Sequence, residues 1–361
     1  MALRVALVGG PMYDGLYSFL PADVDMVVHA DHPTLNRQVA EMLAAGERID
    51  LLATHSKYAP SQAAWLRPLD ELVPADVLTT LAPDAVGLCR FEDSLLCVPR
   101  NIDVRVLWWR TDVLDAAPDT WADLAASGQP FGFPGRESGL FGTFFELVVS
   151  HGGRLFDDDV RPTMTGPEAV AAVETLCALA ANAPDDLPTW HYDQVDAALL
   201  DGRVALAAAW PGGYGPIRAS ALYDRLAPAP YPAGPVRRVS YAGCHGWAIP
   251  TTCVDVEGAL DLLVRLCSEE AAVLDASGGS VCANTAAFAA VTPVDDVDAE
   301  RLQVTRETIA GAMITYPPLA RFPEIEDAGW GALNAALRGE LDPKETVAAI
   351  QRAAEEALAD R

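Results

Sequence analysis

The chain has 361 residues, 51% of them apolar, which is enough to bury large cores and more length than one core usually organises, so two domains are expected. Its formal charge is −26, from 51 acidic against 25 basic residues, which argues against nucleic acid or anionic membrane partners because no surplus of cations exists to neutralise phosphates. No apolar run approaches the ~20 residues of a membrane span.

Arg4–Val8 is an apolar run ending in Gly9-Gly10-Pro11, a buried strand followed by a turn. The ten residues from Met1 to Gly10 are too short for a signal peptide and read directly into that strand. Asp25–His29 is a second strand, and Pro33 opens a helix with Leu35, Val39, Met42 and Leu43 on one face. Ile49–Ala53 is a third strand, ending at Thr54-His55-Ser56. This alternation is the signature of a parallel, doubly wound sheet, whose ligands bind beyond the carboxyl ends of the strands. Gly9–Tyr13 and Thr54–Tyr58 therefore form one candidate site.

The stretch Val98–Trp121, VPRNIDVRVLWWRTDVLDAAPDTW, carries the most information. Val104, Val106 and Trp108 alternate with Arg105, Leu107 and Trp109 at the period of a strand. Thr111 is expected to cap a short Asp112–Ala116 helix, and Thr120 one that starts at Trp121. Arg100, Asn101 and Asp103 precede the strand. Further on, the pattern predicts a strand over Phe131–Pro134, helices over Gly139–His151, from Pro167 and over Asp193–Leu200, and a strand over Val204–Trp210. The segment Val239–Pro250 follows a Pro/Gly-rich stretch. Helices are then predicted over Glu257–Cys267, Glu269–Asp275, Ile325–Leu337 and Pro343–Leu358. The seven cysteines, at 89, 97, 177, 244, 253, 267 and 282, contain no CxxC pair and read as small buried hydrophobes.

Six segments in order resemble the sugar-type, maltose-binding-protein-like family 1 extracellular solute-binding proteins of ABC importers. They are DLLATHSKYAPSQAAWLRPLDELVP, LLCVPRNIDVRVLWWRTDVLDAAPDTWADL, LVVSHGGRLFDDDVRPTMTGPEAVAAVETLCAL, DAALLDGRVALAAAWPGG, GCHGWAIPTTCVDVEGALDLLVRLCSEEAAVLDASGGSVCAN and the closing RGELDPKETV. Trp109-Arg110 replaces the family's usual Tyr-Asn, and Cys244-His245 replaces a usual glycine. The resemblance implies an α/β fold of two lobes (type II periplasmic-binding-protein-like), a ligand cleft between them and three crossings. The crossings would lie near Asn101–Val104, Val239–Gly243 and Ile309–Ile314. The lobes would be residues 1–104 with 243–310 and 105–242 with 311–361.

Carried over by position, ligand contacts would come from Met12, Tyr13, His55, Ser56, Asp103, Arg105, Phe141 within Leu140–Gly142, Trp210, Gly212, Gly213, Tyr214, His245, Trp247 and Arg321. These types suit a sugar: aromatic planes cover its C–H faces, and planar polar groups bridge its hydroxyls. Trp210 before Pro-Gly-Gly suits a stacking platform, with glycines that let backbone approach a ligand. Arg100 and Arg105 raise the alternative of an anionic ligand. Tyr13, Tyr58, Tyr192 and Tyr214 raise that of ferric ion.

No nucleotide-binding loop, zincin or nucleophile-elbow motif occurs. No catalytic residue, metal ligand or cofactor is assigned. His29-Ala-Asp-His32 reads as a turn rather than a metal pair. The expected protein is a solute receptor, a monomer outside the cytoplasm that engages transporter permease subunits and closes by a hinge. The short start and free cysteines support a second reading, a cytoplasmic enzyme on the same scaffold.

Overall fold

The computed structural model describes residues 1–359, apart from the side chains of Pro11, Met12 and Pro33. The chain forms two compact units. The first comprises Met1–Asp103, Gly243–Thr292 and Pro318–Phe322; the second comprises Val104–Ala242, Pro293–Pro317 and Pro323–Arg361.

The first unit is built on a five-stranded sheet in the order Asp25–Ala30, Arg4–Val8, Leu51–His55, His245–Ala248, Val98–Pro99. Arg4–Val8 runs parallel to both its neighbours. His245–Ala248 runs antiparallel to both of its own. Val5, Ala6, Leu7 and Val8 are all buried, so this strand is apolar throughout rather than alternating, as a strand covered on both faces must be. Gly10 follows with φ of 123°, a conformation that side-chain-bearing residues rarely adopt, and turns the chain into the helical turn Pro11–Asp14. The helix His32–Ala44 starts where the Asp31 side chain accepts the Thr34 amide at 2.9 Å, and it buries Leu35 and Val39.

The second unit has a four-stranded sheet in the order Leu226–Ala229, Val106–Arg110, Leu206–Ala209, Phe131–Gly132. Val106–Arg110 is antiparallel to both neighbours. Ser240–Tyr241 pairs in parallel with Met313–Ile314. The helix Trp121–Ala126 opens on a reciprocal capping box between Thr120 and Asp123. The helix Glu137–Ser150 is almost wholly buried and ends before Gly152, which has φ of 93°. Phe141 on this helix lies against Gly329 of the helix Phe322–Leu337, where an added Cβ would come within 2.3 Å of the ring.

Three expectations are corrected. No helix forms over Asp112–Ala116: the Asp112 carboxylate turns back onto Arg110 with bonds of 2.6 and 2.7 Å, and Thr111 N–H donates to the Arg225 carbonyl. A 16-residue helix, Asp296–Gly311, occupies a region with no predicted element. That helix belongs to the second unit, so the third passage of the chain falls at Thr292–Pro293 rather than near Ile309–Ile314, and residues 293–310 leave the first lobe. The physical reason is what the helix binds: Asp295 accepts from the Tyr223 hydroxyl, and the Arg301 guanidinium covers the Tyr214 ring at 4.0 Å. Pro318–Phe322 then returns briefly to the first unit.

Candidate functional site

In the first unit, two neighbouring sheet-strand ends and the segment that follows Val98–Pro99 gather polar side chains. His55 ends Leu51–His55 and is register partner to His245, the first residue of the neighbouring antiparallel strand. Two backbone-linked bonds lock the adjoining loops: Ser56 N–H donates to the Cys244 carbonyl at 2.8 Å, and Cys244 N–H donates to Ser56 Oγ at 3.1 Å. Asp103 bridges to Gly243. Asn101 then serves both strands: its amide donates to Asp103 Oδ1 at 3.0 Å, and its Oδ1 accepts the His245 amide at 3.0 Å.

Asp103 Oδ2 therefore lies 3.1 Å from His245 Nε2, and the Tyr13 hydroxyl sits 3.0 Å from the same nitrogen. The Arg100 guanidinium covers the Tyr13 ring at 4.9 Å. A third imidazole joins from the start of the helix His32–Ala44. The His32 ring centroid is 4.9 Å from that of His245 and 5.7 Å from that of His55, and His55 and His245 are themselves 4.9 Å apart. Burial, reinforced by the neighbouring His245, holds His32 and His55 well below the usual imidazole range, so both rings are neutral at pH 7. His55, Asp103 and His245 are all buried, and one ligating atom from each lies within 4.8 Å of the others.

In the second unit, the strand Leu206–Ala209 ends at Trp210, and Pro211–Gly213 makes a 3-10 turn. The Arg105 guanidinium lies over the Trp210 ring at 4.8 Å, and Tyr192 and Tyr241 meet it edge-on at 6.1 and 5.9 Å. Trp210 itself stays partly exposed. Arg105 is fully buried. It donates to Thr143 Oγ1 at 2.7 Å and to the Gly139 carbonyl at 3.3 Å, and pairs with Glu146 at 3.3 Å. Burial pushes the Glu146 carboxyl up to about 7, against the pull of Arg105.

The two arginines that suggested an anionic ligand are thus matched inside their own units. Arg105 faces Glu146, and Arg100 holds Asp275 with bonds of 2.9 and 2.6 Å in buried surroundings. Of the four tyrosines, Tyr13 and Tyr58 belong to the first unit and Tyr192 and Tyr214 to the second.

The remaining sequence-predicted residues fall as follows. Phe141 is fully buried beside Phe144 and Tyr316. Tyr214 is 4% exposed, between Trp108 at 6.5 Å and Arg301. Trp247 is 2% exposed in the middle of its sheet. Gly212 and Gly213 form the turn after Trp210, and a Cβ on Gly213 would reach 2.9 Å from Asp196 Oδ2. Arg321 is exposed just before the helix Phe322–Leu337. The backbone of Met12 lies in the turn Pro11–Asp14, and its side chain is outside those described.

Sequence reasoning missed His32, Tyr192 as a neighbour of Trp210, Tyr241 and Tyr316. It read His29-Ala-Asp-His32 as a turn, and His29 indeed bonds Asp14 at 2.9 Å rather than His32. A pattern of aromatic residues at the chain passages, Tyr241 before Ala242 and Tyr316 before Pro317, was the available signal for the last two.

The family described as bacterial extracellular solute-binding protein matches residues 27–273. A probable ABC transporter-binding protein of Deinococcus radiodurans is 26% identical over 208 residues, covering 51% of this chain and 49% of that protein. A maltotriose-binding protein of Pyrococcus abyssi is 23% identical over 225 residues, covering 59% of this chain and 49% of that one. The chain thus spans about half the length of the curated relatives it matches. Among solved structures, maltose-bound MalE3 of T. maritima superimposes with a TM-score of 0.88 at 21% identity, over 98% of this chain and 99% of that one. Among the described residues, no helix is long and apolar enough to cross a membrane.

Proposed function

The chain belongs to the family of bacterial extracellular solute-binding proteins, and we propose that it is the receptor of an ABC importer for a neutral, carbohydrate-like solute. Trp210 is the observation that carries the reading. A partly exposed indole, fixed by a guanidinium on its ring and by two tyrosine edges, is a rigid platform for the apolar face of a sugar ring. In the turn Pro211–Gly213 beside it, Pro211 and Gly213 are buried and Gly212 is partly exposed.

A neutral solute is favoured because Arg100 and Arg105 already have carboxylate partners. Asp103, Ser56, Tyr13 and His245 supply acceptors and donors of the kind that hydroxyls need. Arg105, Phe141, Tyr214 and Trp247 are assigned to packing and to holding the platform, since each is buried within its own unit. The solute is captured and released unchanged, outside the cytoplasm, and the loaded receptor engages permease subunits. The maltose and maltotriose bound by similar proteins support the solute class.

The test is a thermal-shift screen of monosaccharides, malto-oligosaccharides, polyols, sugar acids and ferric ion, followed by calorimetry on any hit. A neutral carbohydrate at 100 times its Kd stabilises the protein by about 2.7 kcal/mol. Stabilisation by sugar acids or ferric ion alone would replace this reading.

A further inference from the structure

We propose that the first unit holds a binding site for one divalent transition-metal ion of the zinc class, with His55, His245 and Asp103 as ligands and His32 as the fourth arm. Asp103 and His245 also serve the solute reading, but the metal titration needs no solute and tests this inference separately.

Three observations carry it. The first is convergence. His55 ends one strand, His245 begins its neighbour and Asp103 bridges to Gly243; all three are buried, with ligating atoms within 4.8 Å of one another. In a tetrahedral site with Zn–N bonds of ~2.0 Å the ligand atoms stand ~3.3 Å apart. The His245 Nε2 to Asp103 Oδ2 separation of 3.1 Å already has that size. His55 needs only to close toward the pair. Its Nδ1 is engaged by a single long bond of 3.2 Å from the Lys57 amide.

The second is the state of His32. A hydrogen-bonded cluster of core histidines would use its ring nitrogens, yet His32 Nε2 is buried with no hydrogen-bond partner among the described residues. Its ring lies 4.9 Å from that of His245. Asn36 holds Nδ1 at 3.2 Å; with the Asn36 amide turned so that its oxygen accepts from Nδ1–H, Nε2 keeps its lone pair. A metal ion gives that nitrogen a partner, and nothing else described does.

The third is the outer layer. Asn101 fixes Asp103 through Oδ1 and the His245 backbone through its own oxygen, so carboxylate and imidazole are oriented together. Such hydrogen-bonded support is what metal-binding carboxylates and imidazoles need. Three imidazole nitrogens and one carboxylate oxygen form a borderline donor set that suits Zn²⁺ and Co²⁺ and does not suit Ca²⁺ or Mg²⁺, which take oxygen.

The experiment uses the whole chain, stripped with chelator and exchanged into metal-free buffer. Zn²⁺ is titrated calorimetrically, and Co²⁺ is added as a spectroscopic probe. We expect one equivalent of Zn²⁺, and visible Co²⁺ bands of a four-coordinate nitrogen–oxygen site without a thiolate charge-transfer band. His55→Gln with His245→Gln should weaken Zn²⁺ at least 100-fold, and Asn101→Ala 10–100-fold through loss of orientation. Far-UV circular dichroism checks that each variant folds, and Asp103→Asn gives an independent test if the double variant does not. The proposal is overturned if stripped wild type binds no Zn²⁺. It is equally overturned if a folded ligand variant binds Zn²⁺ as tightly as wild type, or if thiolate bands assign the metal to the cysteines.

Discussion

Arg105 and Trp210 form a stacked pair, the guanidinium 4.8 Å from the indole centroid, and the arginine is anchored from behind by Glu146. The platform's orientation thus depends on a buried ion pair behind it. Removing one member of such a buried pair strands the other charge. Arg105→Leu is expected to destabilise the fold by about 3–5 kcal/mol, with much of that restored when Glu146→Gln is added. Urea denaturation of the single and double variants measures it.

Trp210 and Tyr214 stand four residues apart but differ in accessibility. Trp210→Ala should weaken the carbohydrate ligand at least tenfold, about 1.4 kcal/mol, with a much smaller change in the denaturation midpoint. Tyr214→Phe should leave affinity within twofold of wild type, because that ring is enclosed by Trp108 and Arg301. Calorimetric titration separates the two outcomes, and unchanged affinity in Trp210→Ala would remove the platform.

Asp196 lies beside the turn that follows Trp210, and burial with the nearby Asp193 charge pushes its carboxyl up to about 7. A carboxyl raised in the folded state holds its proton when the unfolded chain has lost it. Between about pH 4 and 7 the native state therefore binds more protons, and stability falls as pH rises through that window. Asp196→Asn should flatten this part of the profile. Denaturation midpoints at pH 4.5, 6 and 7.5 are the measurement, and an unaltered slope would reject the assignment.

Gly329 lets the helix Phe322–Leu337 approach Phe141, where a Cβ would intrude to 2.3 Å. Gly329→Ala gains helix propensity but forces the ring or the helix aside. A net loss of about 1–3 kcal/mol is expected from overpacking. A thermal midpoint at or above that of wild type would show that Phe141 has room to rotate.

Where local chemistry decides structure, the sequence was readable. Thr120 with Asp123 announced a helix start, and the Val5–Val8 run announced a strand covered on both faces. The helix Asp296–Gly311 was silent because its buried face is largely polar. Arg301 pairs with Asp298 at 2.7 Å, and the Thr305 and Thr308 hydroxyls bond the carbonyls of Arg301 and Val304. Apolar periodicity carries no trace of such a helix, and the passage of the chain between units was misplaced with it. His32 was invisible as a site residue for a different reason. Its neighbours His55 and His245 lie in a separate strand and nearly two hundred residues further along, which no window of sequence joins. The same holds for Tyr192 and Tyr241 at Trp210, where topology alone makes the neighbours.

The strand His245–Ala248 sits between Leu51–His55 and Val98–Pro99, which are made long before it. On a ribosome, the first unit has its amino-terminal strands in hand but a gap in the middle of its sheet until Val104–Ala242 has been synthesised. The second unit waits in turn for the helix Pro343–Ala359. Neither unit can be finished, or expressed by simple truncation, as an uninterrupted piece of chain. Each unit therefore closes only after chain that belongs to the other has been synthesised.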